Sequence, residues 1–131
     1  MPYHAVSAES LPWEEREPLH GQPARSQASI TDAASLTQSR ARMWRYPPHT
    51  RGRRHTDPAQ EEVFVPVSGT LTALLEDPPQ RVDVGPGGVL VVHTGTPLQL
   101  RNESDEELVL FAYGAPPISG NAEFLEDVEK A

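Results

Sequence analysis

Apolar and polar positions alternate along much of this chain with the two-residue period of a pleated strand. The clearest runs are EEVFVPV at 61–67, TLTALL at 70–75, VLVVH at 89–93, LQLRN at 98–102 and ELVLFAYG at 107–114. SLTQSRARMWRY at 35–46 and RVDV at 81–84 read the same way. Gly and Pro punctuate them. HTRGRRH turns through Gly52, and EDPPQ (76–80), GPGG (85–88), TGTP (94–97) and the acidic ESDE (103–106) are turns. Short strands separated by turns predict an all-β sandwich or barrel. Ser68-Gly69 is expected to close a hairpin between 61–67 and 70–75. Glu62, Phe64 and Pro66 share one side of their strand and Val63, Val65 and Val67 the other. Both sides are mostly apolar, as in a strand packed between two layers.

The two ends depart from this rhythm. Residues 1–34 carry Pro2, Pro12, Pro18 and Pro23 among many polar residues, which predicts an irregular N-terminal arm anchored by Leu11 and Trp13. Residues 35–118 are expected to form the barrel. The tail, 119–131, contains GNAEFLEDVEK. It is expected to form a short helix with Asn121 as N-cap and Phe124, Leu125 and Val128 on one face.

With 131 residues the chain is one domain by size. A net charge of −8 argues against a general nucleic-acid binder, which needs a basic face. The start of the chain lacks a basic cluster and an apolar run, and no apolar run is long enough to span a bilayer. A soluble cytoplasmic protein without nucleic-acid or membrane partners is expected. There is no Cys, so disulfides and thiolate metal ligands are excluded. Six of the eleven basic residues lie between 40 and 54, while eight of the nineteen acids follow residue 102. Such arginines serve either as solvated strand edges or as the mouth of a pocket for an anion, which their planar fork grips with two bonds.

Candidate chemistry centres on RRHTDPAQEE, residues 53–62, where His55, Asp57 and Glu62 stand close in sequence. No G-x-S-x-G elbow, Walker loop or H-E-x-x-H is present, and GPGG opens a strand rather than a helix. His55, Asp57, Glu62 and Gly69 follow the spacing of one strand-turn-strand motif, G-x5-H-x-H-x3or4-E-x6-G, without its opening Gly. Gly87, His93, Gly95, Leu98 and Asn102 follow the spacing of a second, G-x5-P-x-G-x2-H-x3-N. The pair, in this order over about residues 40–114, resembles the cupins. That resemblance implies a double-stranded, antiparallel jelly-roll barrel with its site inside, often as a homodimer.

Metal-binding cupins place three His and one Glu in the barrel. Here the resemblance maps His55 and Glu62 onto two of those ligands, Asp57 onto the second His and Leu98 onto the third, while His93 takes the Pro position. Asp oxygen is a possible ligand and Leu is not. Three outcomes stay open: no metal and a cavity that is packed or holds an organic molecule; an altered metal site of His55, Asp57 and Glu62; or a surface feature. The cofactor is therefore either none or a divalent metal such as Fe, Mn, Ni or Zn, with His93 or His49 as possible extra nitrogens. Arg53, Phe64, Leu98, Leu100 and His93 are the expected ligand-binding residues. The expected function is binding of a small organic molecule, with an enzyme of dioxygenase, isomerase, decarboxylase or cyclase type as the alternative. In that alternative Glu62 or Asp57 is the base and His55 shares the proton.

Overall fold

The computed structural model describes residues 2–118 and 122–128. Its strands are β1 (Glu14–Glu15), β2 (Ser26–Ser29), β3 (Arg40–Tyr46), β4 (Thr50–Arg51), β5 (His55–Thr56), β6 (Glu61–Ser68) and β7 (Leu71–Leu75). They continue as β8 (Gln80–Val84), β9 (Leu90–Val92), β10 (Leu98–Asn102), β11 (Leu108–Ala115) and β12 (Glu123–Phe124). One sheet runs β1-β2-β3-β11-β6-β9 and the other β12-β5-β10-β7-β8, with β4 also pairing β10; every pairing is antiparallel. This is the expected jelly roll, with the sheets packed face to face.

The long strands read in the sequence are present, but one expected connection is not. β6 and β7 do not form a hairpin, because they belong to opposite sheets. The chain crosses at Ser68-Gly69, where Gly69 has φ +81° and a Cβ would stand 2.6 Å from the Glu107 carbonyl oxygen. Only Gly combines that backbone with that approach. The true hairpin is β7–β8, which closes across Glu76–Pro79.

Both ends are more ordered than their composition suggests. Within the segment expected to be irregular, β2 pairs along β3 and a short helix, α1 (Ile30–Ala34), is capped by Ser29. Leu11 is buried, and the Trp13 ring lies 4.0 Å under the Arg45 guanidinium. Arg40–Tyr46 presents an open strand edge, and Ser26–Ser29 supplies the backbone partners it lacks. The tail is extended rather than helical where it is described. β12 ladders onto β5, and the Leu125 N–H donates to the Arg54 carbonyl. Edge pairing rewards an extended chain there more than one turn of helix would. Asn121, the expected cap, lies outside the described residues. Among the described residues no helix is long and apolar enough to cross a membrane.

The core lies between the sheets and is built of Leu71, Ala73, Leu98, Leu108, Leu110, Phe64 and their neighbours. Along β11 the inward side chains run Leu108, Leu110, Ala112, Gly114, with Val109, Phe111 and Tyr113 on the outer face between them.

Candidate functional site

A cavity of about 560 Å³ opens between the sheets. Strand alternation explains its walls. On β3 the residues Arg40, Arg42, Trp44 and Tyr46 all point inward and all line it. Their partners across the ladder on β11 are Gly114, Ala112, Leu110 and Leu108, respectively. Small residues thus stand opposite the two arginines. On the other flank of β11, Glu62 pairs with Gly114 and Phe64 with Ala112, and both line the cavity.

His55 and Glu62 face each other across this space, with His55 Nε2 3.6 Å from Glu62 Oε1. The His55 Nδ1–H donates to the Arg53 carbonyl at 3.1 Å, which fixes the tautomer and turns Nε2 toward the carboxylate. Burial works against a charged imidazole here. The hydrogen bond His55 donates to the Glu62 carboxylate, the one to the Arg53 carbonyl and the negative charges of Glu62 and Asp57 outweigh it, so the His55 pKa is raised above its ordinary value. Asp57 plays a different part. Its Oδ1 accepts the backbone N–H groups of Ala59 and Gln60 at 2.9 and 2.8 Å, which holds the loop into β6.

Cations dominate the rest of the wall. Arg16, Arg25, Arg40, Arg42 and Arg53 all line the cavity. Arg42 donates to Gln27 Oε1 at 3.2 Å, and burial, together with the neighbouring Arg40 and Arg16, pushes its pKa down. Arg25 enters from the N-terminal segment. Its guanidinium stacks on Trp44 and Tyr46 and donates to the Tyr46 hydroxyl at 3.0 Å. Both Arg25 Nη1 and that hydroxyl lie 2.9 Å from where a Cβ on residue 52 would stand, so a side chain in place of Gly52 would displace the Arg25–Tyr46 pair.

At the rim, Phe124 of β12 pairs with His55 in register and covers the Arg53 guanidinium at 3.7 Å. Behind it a buried polar network ties the tail down. The Asp127 carboxylate accepts Nε and Nη2 of Arg51 as a fork and Gln99 Nε2 at 2.6 Å, and lies 3.4 Å from His20 Nδ1. Arg101 donates to Gln99 Oε1 and to the Val128 carbonyl. The hydrogen bond from Arg51 and its charge hold the Asp127 pKa down at about 2, against the upward pull of partial burial.

Of the residues singled out in the sequence, His55, Asp57, Glu62, Arg53, Phe64 and Leu100 meet around the cavity. Leu98 does not reach it. Fully buried, it sits in the core beside His55 on the neighbouring strand. His93 points away: Leu90 and Val92 face inward on β9, so the next residue faces out, where it pairs with Glu61 at 2.8 Å and is 76% exposed. His49 is also outside, paired with Asp105. Asn102 fixes a turn, donating to the Tyr46, Pro47 and Glu106 carbonyls. Among the described residues no three His, Cys, Asp or Glu side chains converge as metal ligands would.

Sequence reasoning placed Arg40 and Arg42 among six arginines that serve either a strand edge or a pocket mouth without singling them out, although they share the alternation that places Trp44 and Tyr46 on one side. It missed Arg16 and Arg25, for which no local signal exists.

The cupin-domain family model matches residues 42–113, from Arg42 on β3 to Tyr113 on β11. The chain belongs to the cupin family. Comparison with curated proteins finds none of similar sequence. Among solved structures, this cupin is similar to a polyketide cyclase from Streptomyces resistomycificus (TM-score 0.79, 16% identity, 96% of this chain and 87% of that one). It is similar to a predicted oxalate decarboxylase from Thermotoga maritima (TM-score 0.73, 16% identity, 85% and 97%). A sugar phosphate isomerase of the cupin superfamily from Silicibacter pomeroyi also matches (TM-score 0.72, 19% identity, 85% and 74%). At these identities the likeness is one of fold.

Proposed function

We propose that this cupin binds a small organic anion in the cavity between its sheets. One observation carries the reading: among the described residues, five guanidinium groups line the cavity against two carboxylates, in a chain whose overall charge is −8. Asp57 is engaged by backbone N–H groups and Glu62 faces His55, so the wall keeps a cationic surplus. Crowded, partly buried guanidinium groups are what an anion relieves, and their planar forks hold a carboxylate or phosphate bidentately. The donors present do not fit a resident divalent metal: one imidazole, the Glu62 carboxylate, a second carboxylate already capping a turn, and Leu98 in the core where the resemblance to metal-binding cupins calls for a His. The similar structures named above act on unlike substrates, as one fold commonly does, and do not choose among them. Calorimetric titration with small carboxylates and phosphates tests the reading. Arg42→Ala and Arg53→Ala each lower affinity by about tenfold or more, and added salt lowers it further. Binding indifferent to both substitutions would sink it.

The pair His55–Glu62 favours a second reading, an enzyme that moves a proton without a metal. Glu62 takes the proton from a bound substrate, and His55, held through Arg53, shares it. Asp57 positions the loop instead. Glu62→Gln abolishes turnover on this reading while leaving ligand affinity roughly intact. The rate also shows a pH limb set by His55, displaced upward from an ordinary His. Persistent turnover in Glu62→Gln removes this role.

A further inference from the structure

Resting on the anion-binding reading, we infer that the ligand is amphipathic: a flat, largely apolar body that carries one carboxylate or phosphate head. The cavity is far larger than an inorganic anion needs and lies in the range that encloses a small organic molecule. Its walls join two chemistries. Trp44, Phe64 and Phe124 supply aromatic surface, with Leu100 and Ile118 beside them. Arginines supply the charge, and two of them sit over aromatic rings, Arg25 at 4.6 Å from Trp44 and Arg53 at 3.7 Å from Phe124. Stacking occupies the face of a guanidinium and leaves its N–H edge for in-plane contact with a planar anionic head.

The neutral polar groups on the wall each have one hydrogen bond already made. Gln60 Nε2 donates to the Pro116 carbonyl, Gln27 Oε1 accepts from Arg42, and the Tyr46 hydroxyl accepts from Arg25. Asp57 Oδ1 holds two backbone N–H groups. A hydroxyl of a sugar-like body that finds no partner here is costly to bury. An aromatic body meets rings instead. Phe124 adds to this: it is 57% exposed at the rim although its strand is paired and its segment tied to Gln99 and Arg51. A ligand in the cavity would cover that ring.

The test compares matched head groups by calorimetry on the full chain: naphthoate against gluconate, naphthyl phosphate against glycerol phosphate, and naphthalene methanol as the neutral body. The aromatic member of each pair binds at least about tenfold tighter than its hydroxylated counterpart, and the neutral body binds weakest. Whichever aromatic anion binds tighter identifies the head. Phe124→Ala, checked for a native circular dichroism spectrum, weakens the aromatic anions several-fold more than it weakens glycerol phosphate. Gluconate or glycerol phosphate binding as tightly as its aromatic counterpart overturns this inference and leaves the anion reading standing. Naphthalene methanol binding as tightly as naphthoate overturns the anion reading itself.

Discussion

The two ends of the barrel interior are built from the same strands and hold opposite contents. At one end Leu71, Leu98, Leu108 and Leu110 are fully buried and close-packed. At the other, the same strands β10 and β11 present Leu100, Ala112 and Gly114 to an open space. The difference is a gradient in side-chain volume along one strand. From Leu108 to Gly114 the inward residues of β11 shrink, while the facing residues of β3 pass from Tyr46 and Trp44 to Arg42 and Arg40. The cavity is what the missing methyl groups leave, and the arginines on the neighbouring strand project into it. Polar residues inside a barrel are tolerated at one end because no apolar neighbour closes over them.

A reciprocal pair of substitutions on β11 breaks this contrast in both directions. Leu110→Ala removes packing at the filled end and lowers unfolding free energy by about 2–5 kcal/mol in denaturant titration, with affinity for an anionic probe little changed. Ala112→Leu fills the open end. It costs about tenfold or more in affinity while leaving the unfolding midpoint near that of the parent. If the two variants affect stability and affinity alike, the division of the interior is wrong.

A smaller effect separates the ends by pH. Among the described residues the core cluster holds no carboxylate, whereas the rim is held by Asp127. Its carboxyl is held down to about 2 from an ordinary 3.8, so its contribution is full above the ordinary value and is lost as pH falls through that interval. Screened by water, the contribution is on the order of 1 kcal/mol. Asp127→Asn removes that much stability at neutral pH, and with it the acid-dependent part of the unfolding curve between the two values. A parent and variant with superimposable pH profiles would show that the tail does not depend on this carboxylate.

Much of the fold was legible because alternation and turn residues are local. Strands β6 to β11 stand close to where their patterns place them, and the two motif spacings lead to the right family. Sheet membership is not local, which is why Ser68-Gly69 reads as a hairpin when the chain is crossing between layers. The site was half legible for the same reason. His55, Asp57, Glu62, Arg53, Phe64 and Leu100 follow from motif position and alternation. Leu98 was misplaced because depth along a strand, core against cavity, depends on neighbouring strands. His93 lies one residue past the end of β9, and the inward alternation of Leu90 and Val92 carries it to the outside. Arg25 was invisible because a Pro-rich segment gives no sign that it will add a strand beside β3. Gln99 and Arg101 read as the solvent-facing half of an alternating strand and are buried instead, because the tail covers them.

The position of β11 bears on how such a chain is made. It lies between β3 and β6, and neither of those strands touches the other without it. On the ribosome, more than a hundred residues emerge before the segment that joins them, and Val63, Val65 and Phe64 wait with an unpaired edge. An edge left open for so long is the kind that pairs wrongly with another chain, and the one late strand that fills it removes that hazard from both neighbours at once.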